Sequence, residues 1–411
     1  MRKWSFRVGV LCVVLGSFMM GTVVMTPTAH ATPTHASSNY EKGLVDHIHP
    51  EEVEALGGQV PEGVTVVDHE PGFWEKFEWG IVLGGVVQGN TENDDWDAQT
   101  DAMYHVDIEA LFPVTDHSSV YTLIEAGGGD GVDGRISSFS GWSDYTWGDD
   151  DIILAELWYE HTWADGRFRG RIGKIDLSTD FDTNEYANDE HCAFTSSGFI
   201  NNLAVELPDY SFGGMFWWQP TEKFSVGVGY QSNNGWDDVF HNGFGILEVG
   251  WHPIFNGHQG NYRFYGWASA HGAGEDEETG EFVDGYTNAG WGFSFDQEIT
   301  AHIGLWCRYG SQSNEEFNAF KAHTSFGVQF MNFYRRPDDA VGLAYGIVTL
   351  ADDYAESLEK ADDETHVELY YRAQINEKIA LTPHLQWITN PEGDATRDDT
   401  FVLGLRGTFM L

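Results

Sequence analysis

From Phe77 to Leu411, apolar and polar residues alternate along the chain, the period of β-strands whose two faces meet different surroundings. In 364–374, Val367, Leu369, Tyr371 and Ala373 share one face, while Glu364, His366, Glu368, Tyr370, Arg372 and Gln374 share the other. In 102–112, Tyr104, Val106, Ile108, Ala110 and Phe112 lie opposite His105, Asp107 and Glu109. In 152–163, Ile153, Ala155, Leu157, Tyr159 and Trp163 lie opposite Glu156, Trp158 and Glu160. The same reading predicts strands at 77–88, 102–112, 119–126, 152–163, 167–174, 210–218, 224–232 and 243–252. It continues at 261–270, 285–295, 301–310, 321–331, 340–349, 364–374, 379–388 and 400–411. The total is sixteen, and the lengths suit the ~9–11 residues of a tilted membrane strand.

Short and long connections alternate. Tight ones fall at 113–118, 164–166, 219–223, 253–260, 296–300, 332–339 and 375–378, and longer acidic ones include 127–151, 175–209, 271–284 and 350–363. Periplasmic turns at one end and extracellular loops at the other produce this rhythm in a membrane barrel. An unpaired Glu156 or Arg372 facing lipid would cost ~2–4 kcal/mol near the midplane. The charged face is therefore expected to meet water inside a closed cylinder. The predicted fold is all-β, a 16-stranded antiparallel transmembrane barrel over 77–411 with inward-folded loops and a polar lumen.

The N-terminus points to export. Arg2, Lys3 and Arg7 precede a mostly apolar run, Val8 to Val24, and Ala29-His30-Ala31 offers a cleavage site, so 1–31 reads as a signal peptide. Residues 32–76 read as a periplasmic or plug-like extension, with a weakly amphipathic helical stretch over 39–56 and then a Gly/Pro/Val linker. No later apolar run approaches the ~20 residues of a membrane helix. Removing the signal leaves 18 Lys+Arg against 65 Asp+Glu, a balance of −47 that excludes a nucleic-acid partner. A saline habitat or a solvated acidic face explains such a charge as well as function does. Cys192 and Cys307 lie in different kinds of segment, and no disulfide is expected. His47-x-His49 could bind a metal, but two histidines alone are more often just solvated, and neither a metal nor another cofactor is expected.

The scarce basic residues concentrate on the inner phase. Arg167, Arg169 and Arg171 share a face, with Phe168 and Ile172 opposite, and a tight turn sets them beside Glu156 and Glu160. Arg263, Arg308, Lys321 and Arg406 have the same phase. Guanidinium donors beside carboxylate acceptors and Trp158 suit a polyhydroxylated solute, whose C–H face would pack on the ring. An ordinary charge ladder that orients water and ions fits equally well. The candidate pore lining is Arg167, Arg169, Arg171, Glu156, Trp158, Glu160, Asp107, Glu109, Arg263, Glu368 and Arg372. Trp163, Trp251 and Trp387 near strand ends are expected in interfacial girdles, and Trp306 has an inner phase.

The connection after strand 167–174 reads Gly173-Lys174-Ile175-Asp176, then Phe181-Asp182-Thr183-Asn184 and Ala187-Asn188-Asp189-Glu190, with Phe194, Phe199, Ile200 and Leu203 following. This run, with the C-terminal stretches 379–391 and 401–406, resembles the carbohydrate-selective porins of the OprB type over most of 77–411. The resemblance implies a 16-stranded barrel in the bacterial outer membrane, contacting its lipids and lipopolysaccharide. It also implies passive passage of small hydrophilic solutes, sugars among them, through a pore narrowed by inward-folded loops. On that basis Lys174, Asp176, Asp182, Asn184, Asn188, Asp189 and Glu190 become candidates for the constriction or its scaffold. Asp and Asn residues capping loop turns are the competing explanation. A homotrimer and a monomer both remain open, as does a general or cation-selective channel.

Other classes find less support. Ser196 and Ser197 near His191 and Asp189 make a weak nucleophile set, and no CxxC, HExxH or phosphate-loop motif occurs, so no enzyme is expected. An adhesive role for the acidic loops stays open. A gated transporter would need ~22 strands.

Overall fold

Strict alternation needs a sheet that closes on itself, because an open edge in lipid leaves backbone groups without partners. The computed structural model closes it. Sixteen antiparallel strands run β1 (Glu78–Asn90), β2 (Thr100–Thr115), β3 (Ser118–Gly129), β4 (Gly148–Trp163), β5 (Phe168–Ile175), β6 (Ser211–Thr221), β7 (Phe224–Ser232) and β8 (Gly243–Trp251). They continue β9 (His258–His271), β10 (Tyr286–Thr300), β11 (Ile303–Gln312), β12 (Phe320–Phe333), β13 (Arg336–Leu350), β14 (Glu364–Asn376), β15 (Ile379–Thr389) and β16 (Thr400–Met410). β16 pairs with β1, from Val402 against Asn90 to Met410 against Val82, and completes the cylinder. All sixteen predicted strands are present. Several extend further towards the tight turns than alternation alone suggested, β2 to Thr115 and β10 to Thr300 among them. At Ala164–Asp165 left-handed backbone (φ 51° and 56°) reverses the chain within a few residues.

The structure describes residues 77–411 except 237–238, 273, 276–281, 284 and 314–317, together with 47–48 and 65–66. The segment 1–31, expected to be a signal peptide, and most of the expected 32–76 extension lie outside the described residues. His47–Ile48, within the stretch expected to be helical, instead pairs in parallel with Thr65–Val66 in a unit of its own.

Side-chain exposure follows the predicted faces in most strands. Leu369 and Tyr371 are exposed on the outside, whereas Glu364, His366, Glu368 and Tyr370 are buried inside. Trp163, Trp251 and Trp387 are exposed near strand ends, as girdles require. β4 needs a correction. Leu123 pairs with Glu156 and the next residue, Ile124, with Leu154, so Ala155 is an extra residue that bulges from the ladder. Beyond it the phase inverts: Ile152 and Leu154 are exposed, Ala155 is buried, and Ile153 packs inward.

The interior is not water along its whole length. The connection from Asp176 to Tyr210, the third loop, folds into the cylinder and carries a short helix, α1 (Ser197–Ile200). Its Leu177, Phe181, Val205 and Leu207 pack with Tyr121, Trp158, Met215 and Trp267 of the wall. Its Tyr186, Phe194 and Phe199 pack with Trp306, Ala340, Ala344 and Tyr370. The inner face of β13 is small at Ala340, Gly342, Ala344 and Gly346, which leaves room for these rings. The second loop, 130–147, adds Val132, Ile136 and Trp142 against Ile388 and Val402. Each burial of such a side chain contributes ~1.5–3 kcal/mol, enough to hold a long loop within the lumen.

Candidate functional site

Polar wall residues hold the third loop through its backbone. Arg308 of β11 is fully buried and donates to the carbonyls of Asp182 (2.9 Å), Ala187 (2.5 Å) and Phe199 (2.9 Å), and to the side-chain oxygen of Asn188. Arg406 of β16 donates to the carbonyls of Glu190 and Ala193, the latter at 2.8 Å. Half-buried Arg372 of β14 reaches the Cys192 carbonyl at 3.2 Å. From the same wall Glu368 accepts the amides of Thr195 (2.8 Å) and Ser196 (3.1 Å) at the start of α1. Glu248 accepts the Asp182 amide at 2.9 Å. Glu364 does the same for the second loop, accepting from Phe139 (2.9 Å) and Ser140 (2.8 Å). Orphan backbone groups of an irregular loop at membrane depth are costly, and these side chains satisfy them.

Most third-loop candidates belong to this scaffold. Asp176 caps the turn Leu177–Thr179, accepting from Ser178 N at 2.7 Å, and Asp189 likewise accepts from His191 N at 2.7 Å and Cys192 N at 3.0 Å. Asp182 accepts the Tyr265 hydroxyl at 2.8 Å and the Asn202 amide at 3.1 Å; burial holds its carboxyl above the ordinary range although Arg308 opposes this. Asn184 donates to Ser294 at 3.1 Å, and the Glu190 carboxylate lies 3.3 Å from His191 Nε2. Lys174 is elsewhere. It pairs opposite lipid-facing Leu157, on the outer phase, and its Nζ donates to the Leu154 carbonyl at 2.5 Å.

The arginine ladder is resolved into unequal parts. Arg167 precedes β5 in the turn and is exposed there, away from the other two. Arg171 pairs directly opposite Glu160, donates to it at 3.0 Å, and donates to Asp180 of the third loop at 2.7 Å. Arg169 reaches the same two carboxylates, Glu160 at 3.3 Å and the other Asp180 oxygen. Burial by itself would raise the Asp180 carboxyl, but Arg169 and Arg171 hold it below the ordinary value. The Arg171 guanidinium lies over the Trp158 ring, 3.9 Å from its centroid, and Tyr121 stacks on that ring at 4.9 Å. Trp158 is 5 % exposed, so it offers no free face to a solute; this corrects the packing role expected for it. Glu156 accepts Trp158 Nε1 at 2.9 Å, and Glu109 accepts the Tyr121 hydroxyl at 2.9 Å.

A second ion-pair group sits four strands further round the wall, on β9 and β10. Arg263 of β9 donates to Asp296 of β10 at 2.8 Å, and Asp296 also accepts the Glu185 amide at 3.3 Å. Glu185 is exposed to the lumen yet enclosed by the barrel; that enclosure and neighbouring Asp296 push its carboxyl up to about 7, with Arg263 opposing. Lys321 lies at the long-loop end of β12 and pairs with exposed Asp352 at 2.5 Å. Asp107 is buried between His105 (2.7 Å) and His191 (3.0 Å).

Sequence reasoning missed Asp180, Glu185, Asp296 and Glu248, and placed Glu364 on the inner face without giving it a role. Asp296 was open to detection, since it shares the inner phase of β10 with Ser294. The loop residues were not, because an irregular chain has no period to read.

Comparison with known proteins agrees with this architecture. Residues 93–411 match the family model "Carbohydrate-selective porin, OprB family". The chain is 23% identical over 399 residues to Porin B of Pseudomonas aeruginosa, covering 82% of this chain and 87% of that protein. It is 25% identical over 304 residues to a putative porin, QuiX, of Acinetobacter baylyi, covering 61% of this chain and 67% of that one. Among solved structures, the high-pH structure of Pseudomonas putida OprB superposes with a TM-score of 0.71 at 19% identity, covering 82% of this chain and 94% of that one.

Proposed function

The chain belongs to the carbohydrate-selective porin family, OprB, as a non-enzymatic channel of the outer membrane, and on that premise we propose that its two lumenal ion-pair groups form the solute path. The carrying observation is the pairing itself. Arg169 and Arg171 share Glu160 and Asp180, and Arg263 faces Asp296, so fixed donors and acceptors stand in the lumen as compensated pairs, with the Glu185 carboxyl beside the second. A bare arginine ladder would retain anions. A compensated one offers oriented hydrogen bonds to a neutral polyol, and its planar guanidinium forks hold that geometry at low entropic cost. A sugar hydroxyl exchanging places with water along such a row loses little on entry and leaves readily.

Single-channel recording tests this. Glucose and maltooligosaccharides should reduce ion current in a concentration-dependent way, and the Arg169→Ala/Arg171→Ala double variant should lose that block. Unchanged current with sugar, together with cation preference, would support the other reading, a general or cation-selective pore. The formal charge of −44 is the observation favouring that reading. In it, the acidic extracellular loops concentrate cations at the mouth and hold divalent ions that bridge lipopolysaccharide.

A further inference from the structure

We propose that His105, Asp107 and Glu125 form a binding site for one divalent transition-metal ion, with Zn²⁺ the best fit. His105 and Asp107 are two residues apart on the inner face of β2, and Glu125 of β3 stands directly opposite Asp107. One donor atom from each lies within 4.8 Å of the others. All three side chains are more than nine-tenths buried, with residue exposures of 1 %, 5 % and 0 %. One imidazole nitrogen with two carboxylates suits a borderline divalent cation better than Ca²⁺ or Mg²⁺, which favour all-oxygen shells. The charges also balance: two carboxylates and a neutral imidazole match a dication.

Surrounding groups are arranged as partners that aim ligands. The second oxygen of Asp107 meets His191 Nε2 of the third loop at 3.0 Å, and Tyr145 of the second loop meets His191 Nδ1 at 2.5 Å. Tyr210, at the end of the third loop, donates to one Glu125 oxygen at 2.8 Å. Each carboxylate thus has one oxygen engaged by a loop, and Asp107 turns its other oxygen towards His105. Hydrogen-bonded outer partners of this kind orient ligands and are worth ~10–100-fold in metal affinity. Trp147 covers His105 edge-on at 5.0 Å between ring centroids. Binding displaces the proton that His105 Nε2 and Asp107 now share, releasing it or moving it to Nδ1. The ion would join the β2–β3 wall to both loops, whichever solute the channel passes.

The full chain, purified from membranes in detergent and stripped with a chelator, is titrated with Zn²⁺ in excess Ca²⁺, which occupies the acidic loops. One saturable site per chain is expected. Affinity should fall at least ~10-fold in His105→Gln, Asp107→Asn and Glu125→Gln, and ~10–100-fold in His191→Gln. Heat-modifiable gel mobility confirms that each variant is a folded barrel. X-ray absorption on the Zn²⁺-loaded wild type keeps the test independent of variant folding: it should show a nitrogen/oxygen shell with a single imidazole. The proposal is overturned if the wild type binds no Zn²⁺, if folded variants bind as it does, or if the spectrum lacks imidazole scattering.

Discussion

Arg308 and Asp182 meet across the lumen through backbone and side chain together. Arg308 Nε and Nη2 donate to the Asp182 carbonyl at 3.2 and 2.9 Å, and Nε lies 3.3 Å from the Asp182 carboxylate. One wall residue thereby fixes a loop residue in left-handed backbone (φ 57°) and the turn around it.

Replacing Arg308 by Met should leave three carbonyls and the Asn188 side chain without their donor. Truncating one partner of a buried charged network costs ~3–5 kcal/mol. The variant should unfold at lower temperature or urea concentration, read by gel mobility, and its released loop should raise channel noise. A barrel as stable and quiet as wild type would contradict the scaffold role.

Glu185 should make conduction depend on pH. Its folded carboxyl titrates near 7 rather than at the ordinary 4.5, so its negative charge is lost as pH falls through neutrality. Cation preference, measured as reversal potential in a salt gradient, should drop between pH 8 and pH 6, and Glu185→Gln should flatten that change. The linkage sign follows: a raised carboxyl favours the folded chain in acid and weakens it as pH climbs from about 4.5 through 7.

Gly304 of β11 lets Tyr186 of the third loop lie against the wall; a Cβ there would stand 2.2 Å from the Tyr186 ring. Gly304→Val should push that ring and its loop towards the lumen. Lower single-channel conductance with the barrel intact is the expected outcome. Unchanged conductance would mean the ring shifts sideways without narrowing the path.

Leu369 on the outer face is exposed, and Leu369→Arg should cost ~2–4 kcal/mol in reversible folding into lipid vesicles if it lies near the midplane. A loss below ~1 kcal/mol would place it at the interface.

The alternation of Val367, Leu369 and Tyr371 with Glu364, His366 and Glu368 carried strand number, length and facing, because lipid and lumen each act on every second residue. Even the tight turns were legible, since a reversal between paired strands interrupts that period. Ala155 was not. A bulge inserts one residue without changing composition, yet it reversed the facing of Ile152 to Leu154.

The sequence by itself therefore determined a closed cylinder and the side on which most residues stand. Tertiary structure decided what the inward residues meet. Arg308 and Arg406 have the same phase as Arg169 and Arg263, but the former bind loop carbonyls and the latter border the open lumen. The same gap separates Asp107 from His191, 84 positions apart and hydrogen-bonded. The physical reason is that facing is local, set by the pleat, whereas the loop's path depends on where its rings find space against small wall residues such as Ala340 and Ala344.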